Sequence, residues 1–547
     1  MTHARDAPPT TREVVHTLES GHLDEIEAVF DSLWFDLPDR FADEVLRAMM
    51  HLPPVVIDQR PRLAHLSLLA QMRMSHAGGD EEGMARVLQL YDRAGLRYAK
   101  RLNDFSRLQD LLAAGTAAVI AHRRRREYET SEKIGNWTDA RTANASPRSM
   151  LPWTAADPGT RPGWLNAQRG ITAMLAGAAD VAITLLTRAR EEAGDEPHAH
   201  YARLVAASHL ALLSALHGHH DLAREHLGCL EHAPPFPEWT AEAQVGAEMI
   251  ARAQIAIDEA DPDTALRLLT TLRRSAPHLR ELWGFLAFTR ASYQAHYGEP
   301  LRGLRELDEA RLLHGMIEPD LDTITGRLIL KAEAKLLLRA GGARRVIHLA
   351  HAHDREDAVW FVSQHAWAHL TVGETHEAIR LASTALQGSR LPPADALDLH
   401  VVLAVANLRA GREDRARTWF QRALRQRATP KHAAPFLAMR PQERETLTQL
   451  TGAPNVLPDI AAPASNAPKI VLATPLSPRE RAVLEALGEG YTAESAAAKF
   501  SVSVNTVRTQ IRNIYRKLGV SSRRELVTTA HELGLFHTQS PTDQPGA

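Results

Sequence analysis

From about residue 15 to about residue 427, apolar positions recur at helical spacing in amphipathic segments joined by short turns. A Gly or Ala marks each turn, and a small or aliphatic residue five positions later opens the next segment. The pairs are Gly135/Ala140, Gly177/Ala182, Gly218/Ala223, Ala260/Ala265, Gly341/Val346, Gly373/Ala378 and Gly411/Ala416, with Gly298/Gly303 a weaker member. Neighbouring turns lie about 32 to 43 residues apart, the period of two-helix repeats. A glycine accepts the left-handed conformation at a helix end, and a small residue lets antiparallel helices approach closely. Each pair leaves an apolar face that only the next pair can cover, so stacking is obligatory.

The pattern predicts an all-α chain whose residues 1–427 form a helical solenoid. It resembles the tetratricopeptide repeat (TPR) family in a degenerate form, because the consensus Trp, Tyr and Pro positions are not regularly filled. The last repeat places Ala416, Trp419, Phe420 and Ala423 on one side of Glu413 to Arg425. Gly21/Ile26 and the stretch Gly79 to Glu82 read as similar turns nearer the N-terminus. Pro147, Pro152, Pro158 and Pro162 break any helix across 145–162, which reads as a long loop or a subdivision of the solenoid. Residues 428–475, with Pro454, Pro458, Pro463, Pro468 and Pro475, read as a Pro/Ala-rich linker, and 538–547 as a disordered polar tail.

Between them, 476–537 parses as a compact four-helix domain. Ser477, Pro478 and Glu480 make a capping box, Thr492 caps a short helix through Phe500, and Ser503 caps a longer one reaching Leu518. Ser522 with Glu525 opens a last helix that ends at Gly534. Val507, Ile511, Ile514 and Leu518 form the buried stripe of the third helix, while Arg508, Arg512 and Arg516 share another face beside Lys517. Two helices joined by a tight turn, the second with a basic face, are suited to the major groove of double-stranded DNA.

Charge sharpens this. The whole chain carries a formal −2, but 476–537 holds nine Lys/Arg against six Asp/Glu, so that domain is about +3 and the remainder about −5. No acid lies between Ser501 and Ser522. The span from Leu476 to Leu526 resembles the LuxR/GerE-type helix-turn-helix family without a gap. The matching positions include Pro478, Glu480, Gly490, Ala497, Ser503, Thr506, Val507, Lys517, Leu518, Gly519 and Arg523. The resemblance implies a transcriptional regulator and a fourth helix that supports a homodimer on a two-fold site, with RNA polymerase as a further partner. It implies that Arg508, Thr509 and Arg512 face base edges, and that Ser503, Asn505, Thr506, Arg516 and Lys517 serve the DNA contact at the helix start and along the backbone. The chain departs from the family at Ser495-Ala496, Phe500 and Gln510, where Glu-Ile, Leu and His are usual.

Other signals narrow the classes. Large regulators of this kind often carry an ATPase, yet the sequence has no Gly-Lys dipeptide and hence no GxxxxGK[ST] loop. Cys229 is the single cysteine, which rules out an intramolecular disulfide and a cysteine-based zinc site and fits a cytoplasmic setting. No stretch reads as a membrane span, Leu204 to Leu216 being a buried helix. The clusters His348/His351/His353 and His217/His219/His220, and the basic run Arg123 to Arg126, read as solvated helix ends and faces. Trp137, Trp153 and Trp164 suit either a ligand groove or helix packing. No nucleophile–base set stands out, so an enzyme is not expected, and no cofactor or metal is implied. The expected function is sequence-specific DNA binding, with an unknown small-molecule or protein effector sensed by the solenoid. The alternative is an interaction scaffold whose helix-turn-helix merely docks.

Overall fold

The repeated turn has one local structure. The computed structural model describes residues 9–145, 160–193, 200–231, 237–275, 279–353, 358–388, 391–427, 432–453, 477–518, 523, 526–527 and 530. At Gly177, Gly218, Ala260, Gly341, Gly373 and Gly411 the backbone turns with φ between 60° and 93°. The Gly177 N–H donates to the Met174 carbonyl (3.0 Å) and the Ala178 N–H to the Ala173 carbonyl (2.9 Å). The same pair of bonds recurs at each of the six turns, as at Gly411→Leu408 (3.0 Å) and Arg412→Asn407 (2.9 Å), and it satisfies carbonyls left over at the helix end.

The residue after the turn then opens the next helix. The Ala182 N–H donates to the Ala178 carbonyl (2.9 Å), so Ala178 closes one helix and starts another. That geometry aims the fifth residue at the preceding helix. Ala182, Ala223, Ala265, Val346, Ala378 and Ala416 are all fully buried.

Two predicted turns are different. Gly135 lies inside the helix Tyr128–Ala145 and Ala140 is exposed. The chain instead turns at Arg126, φ 62°, with Arg126→Arg123 (2.8 Å), Glu127→His122 (3.0 Å) and Ser131→Glu127 (2.9 Å) bonds, and Ser131 takes the buried fifth position. An arginine in the left-handed region gives no composition signal, whereas the glycine nine residues on does. Gly135 serves packing, since a Cβ there would sit 2.8 Å from Arg169 Cγ. At Gly298 the Glu299 N–H donates to the Gln294 side-chain carbonyl (2.9 Å), without the left-handed step.

By its internal contacts the chain divides into two compact units, one made of 1–252, 268–284 and 320–326 and the other of 253–267, 285–319 and 327–547. All the regular elements among the described residues are helical. In the first unit helices adjacent in sequence pack on one another, as Glu81–Ala99 does on Leu108–Arg124. Glycines set the closest approaches: a Cβ on Gly95 would meet Ala121 Cβ at 2.7 Å, and one on Gly170 would meet Leu186 Cγ at 2.6 Å. Trp34 stacks on Phe35 and meets Trp164 and Tyr201 edge-on, at ring separations of 4.9–5.5 Å. Trp164 is thus core, Trp137 is partly exposed, and Trp153 lies outside the described residues.

Three residues of the basic run, Arg124, Arg125 and Arg126, are exposed as expected, and one is not. Arg123 is buried, donating to Glu281 from Nε (2.7 Å) and Nη2 (3.1 Å) and to the Gln168 carbonyl (3.0 Å), while Arg124 pairs with Asp92 (2.8 Å). His220, expected in solvent, is fully buried at the start of the helix His220–Glu231. His348 and His351 are exposed, and the His351 ring meets His365 edge-on at 5.6 Å.

In the second unit the final repeat packs Leu403, Ala406, Ala416, Phe420 and Ala423 into one apolar cluster. The start of the predicted linker joins it. Residues 434–437 and 441–451 are helical, and Phe436, Met439 and Leu447 are buried in that cluster. The Arg409 guanidinium bridges to Glu443 (2.7 Å). Packed structure therefore continues past 427, because the alanine and proline content there sits around apolar anchors. The proline-rich 454–476, the loop 146–159 and the tail lie outside the described residues. No helix among the described residues is long and apolar enough to cross a membrane.

Candidate nucleic-acid interface

Each of three C-terminal helices starts on a side-chain cap. For Pro478–Gly488 the Ser477 N–H donates to Glu480 (2.7 Å) and the Glu480 N–H to the Ser477 hydroxyl (3.2 Å). Ala493–Lys499 begins on a reciprocal Thr492/Ser495 box. Val504–Leu518 begins at Ser503, whose hydroxyl accepts from the Thr506 N–H (3.1 Å). Gly490, φ 98°, ends the first helix, with the Tyr491 N–H donating to the Ala486 carbonyl (3.0 Å). Between the second and third helices the chain turns at Ser501, φ 53°, and the Val502 N–H donates to the Ala497 carbonyl (3.0 Å).

A small core holds the three together. Val483, Leu484, Leu487, Ala496, Ala497, Val507 and Ile514 are buried, and Leu526 and Ala530 are buried as well. The Arg523 guanidinium donates to the carbonyls of Leu487 (3.1 Å) and Tyr491 (2.7 Å), closing carbonyls at the end of the first helix. Of the predicted apolar stripe, Val507 and Ile514 are buried and Ile511 is partly so, while the Leu518 side chain lies outside the described residues. So does most of the predicted fourth helix, Ser522 to Leu533.

Burying Val507 and Ile514 turns the other side of the third helix to solvent. Ser503, Asn505, Thr506, Arg508, Thr509 and Arg512 are all exposed. Ser503 precedes the helix and the other five lie in about its first two and a half turns, and the free N–H groups and dipole at that N-terminus also favour an anion. The side chains of Arg516 and Lys517 lie outside the described residues.

Arg508 has an acidic partner that the order of the sequence conceals. Arg508 Nη2 donates to Glu494 Oε1 (2.8 Å), from the helix before the turn. The absence of acids between Ser501 and Ser522 hid this, because the partner lies fourteen residues upstream and only the turn brings it close. The Glu494 carboxyl is held below its usual range, first by a backbone N–H and then by Arg508. Both side chains remain 59% exposed, so the pair can open to a competing acceptor. A second pair, Lys499 to Glu489 (2.7 Å), lies over the Tyr491 ring at 4.3 Å.

A compact tri-helical unit with a capped, solvent-facing basic helix after a tight turn is a helix-turn-helix domain. Residues 474–530 match the family described as "Bacterial regulatory proteins, luxR family", and this C-terminal domain belongs to it. The same region is similar to the HTH-type transcriptional regulator MalT of Vibrio cholerae, 40% identical over 68 residues, and of Vibrio campbellii, 38% over 68. MalT of Serratia proteamaculans is 39% identical over 66 residues. Each match covers 12% of this chain and only 7–8% of the relative, so the aligned segment spans less than a tenth of those proteins.

Proposed function

We propose that this protein is a sequence-specific DNA-binding transcriptional regulator. The observation that carries the reading is the exposure of Asn505, Thr506, Arg508, Thr509 and Arg512 on one face of Val504–Leu518, opposite the buried Val507 and Ile514. That helix lies in the major groove. Arg508 and Arg512 read guanine edges through paired N–H donors, each worth about 1–3 kcal/mol of base discrimination. Ser503 and Thr506 hydroxyls, with Arg516 and Lys517, hold phosphates and set the register. The named function of the MalT relatives supports this reading over the matched domain.

The DNA-reading domain is taken as 476–537, acting as a homodimer on a two-fold site and working with RNA polymerase. The helical repeats ahead of it sense an effector and are not catalytic. An effector changes DNA binding only through its differential affinity for two forms of the protein.

Selection of genomic fragments by the full chain, beside an Arg508→Ala/Arg512→Ala variant at two salt concentrations, tests the proposal. It expects enrichment of a short, partly palindromic sequence that is lost in the variant and weakens with salt. If neither the full chain nor residues 470–547 alone enriches any sequence, DNA reading is wrong and the domain docks on protein instead.

A further inference from the structure

The first unit contains a buried cation that its own side chains leave half-satisfied. Arg161 precedes the helix Trp164–Leu175 and is only 9% exposed. Its guanidinium lies against two aromatic rings, 4.5 Å from the centre of Phe30 and 4.7 Å from that of Trp34. Nη1 lies 3.3 Å from Nδ1 of His65. Nε and Nη2 are buried and have no hydrogen-bond partner.

The identity of those two nitrogens matters. Nε and Nη2 share one edge of the guanidinium and present two parallel N–H donors, the edge that grips both oxygens of a carboxylate. A buried donor without an acceptor is costly, and a buried unpaired charge more so. Burial pulls the guanidinium down to about 10, and the carboxylate acting on it most, Asp31, already accepts from Arg62 at 2.5 Å.

The surroundings suit a small anion. Arg161 lines a small open recess with free space of about 20 Å³, on the order of one or two water molecules, together with His65, Tyr91, Thr116 and Trp164. Burial and the Arg161 charge push His65 down to about 3, so its ring is neutral. Because a guanidinium only donates, the neutral ring accepts at Nδ1 and carries its proton on Nε2. Tyr91, Thr116 and Thr160 bring hydroxyl side chains to the lining beside Leu112, Ala113 and Leu165. A recess of this size takes an anionic head group, with its small body left at the mouth, and disfavours cations.

We propose that this recess is a binding site for the carboxylate of a small organic acid, held side-on by Nε and Nη2 of Arg161. As the effector site it rests on the regulator reading; as a carboxylate site it stands on the geometry alone. The unpaired edge then has two acceptors, and the aromatic faces shield the pair from water.

Thermal unfolding and calorimetric titration of the full chain with acetate and succinate, against chloride at equal ionic strength, test it. Carboxylates are expected to raise the unfolding temperature and chloride to leave it unchanged. Arg161→Met should abolish the shift. Arg161→Lys keeps the charge without the paired donors and should weaken binding by about tenfold or more, so the test holds even where the Met variant fails to fold. No carboxylate-specific shift, or one undiminished in both variants, overturns the proposal, and so does a response confined to inorganic phosphate. Carboxylate binding lost in Arg161→Lys but without effect on DNA enrichment would leave the site standing and remove only its role as effector site.

Discussion

Arg62 sits where three carboxylates converge, and replacing it with methionine should unfold the first unit far more easily. Its Nε donates to Asp110 (2.8 Å), Nη1 to Asp31 (2.5 Å) and Nη2 to Glu27 (2.7 Å), from helices up to 48 residues apart in sequence. All four residues are buried. Arg60 and Arg107 reach Glu27 at 3.4 and 3.6 Å, longer than its 2.7 Å contact with Arg62. Breaking a buried ion pair by removing one partner costs about 3–5 kcal/mol, since the remaining charge loses its compensation. For a unit of this size that corresponds to roughly 6–20 °C in unfolding temperature.

The sign of the pH dependence follows. Burial already raises the Glu27 carboxyl above its usual range, against the pull of Arg62. Removing Arg62 raises the buried carboxyls further. An acid whose pKa is raised on folding binds more protons folded than unfolded, so it lowers stability as pH rises through that window. The cost of Arg62→Met should therefore be largest at pH 7 and shrink toward pH 4–5. Urea unfolding of the variant and parent at both pH values measures it, and adding Asp31→Asn and Asp110→Asn should recover part of the loss. A loss under about 1 kcal/mol at pH 7, or one equal at both pH values, would refute the reasoning.

Other perturbations probe the repeat and the DNA-reading helix. Gly95→Ala should destabilise the first unit by about 1–3 kcal/mol, because its Cβ would press on Ala121 and on the Ala117 backbone, which cannot move aside; calorimetry of the variant would show no change if the helices can separate. Arg508→Ala should weaken binding to the selected operator and relax preference at one base position by about 1–3 kcal/mol, read by competition with single-base variants. A uniform loss across all sequences would make Arg508 a phosphate contact instead. Glu494→Gln should tighten DNA binding by freeing Arg508 and removing a negative charge from the interface. Unchanged or weaker binding in an equilibrium titration would show that the carboxylate orients the arginine rather than competing for it.

The chain's own order of residues determined most of the helices, the repeat and the helix-turn-helix, for a local reason. A left-handed turn, a buried fifth residue and a side-chain cap are each decided within about six residues, and Gly411/Ala416 or Ser503/Thr506 carry them on their face. Where another residue adopts the same backbone, as at Arg126, the local signal falls silent although the hydrogen bonds are identical. Charge partners belong to tertiary structure alone. Arg123 reads as one of four solvated bases until a turn 158 residues away supplies Glu281. Arg508 stands in an acid-free stretch until the turn brings Glu494 beside it. Arg161, in a proline-rich stretch without periodicity, becomes notable only when Phe30, Trp34 and His65 enclose it. Backbone conformation is set by neighbours in sequence, whereas desolvation and pairing of a charge depend on what folding brings near it, and no spacing rule encodes that.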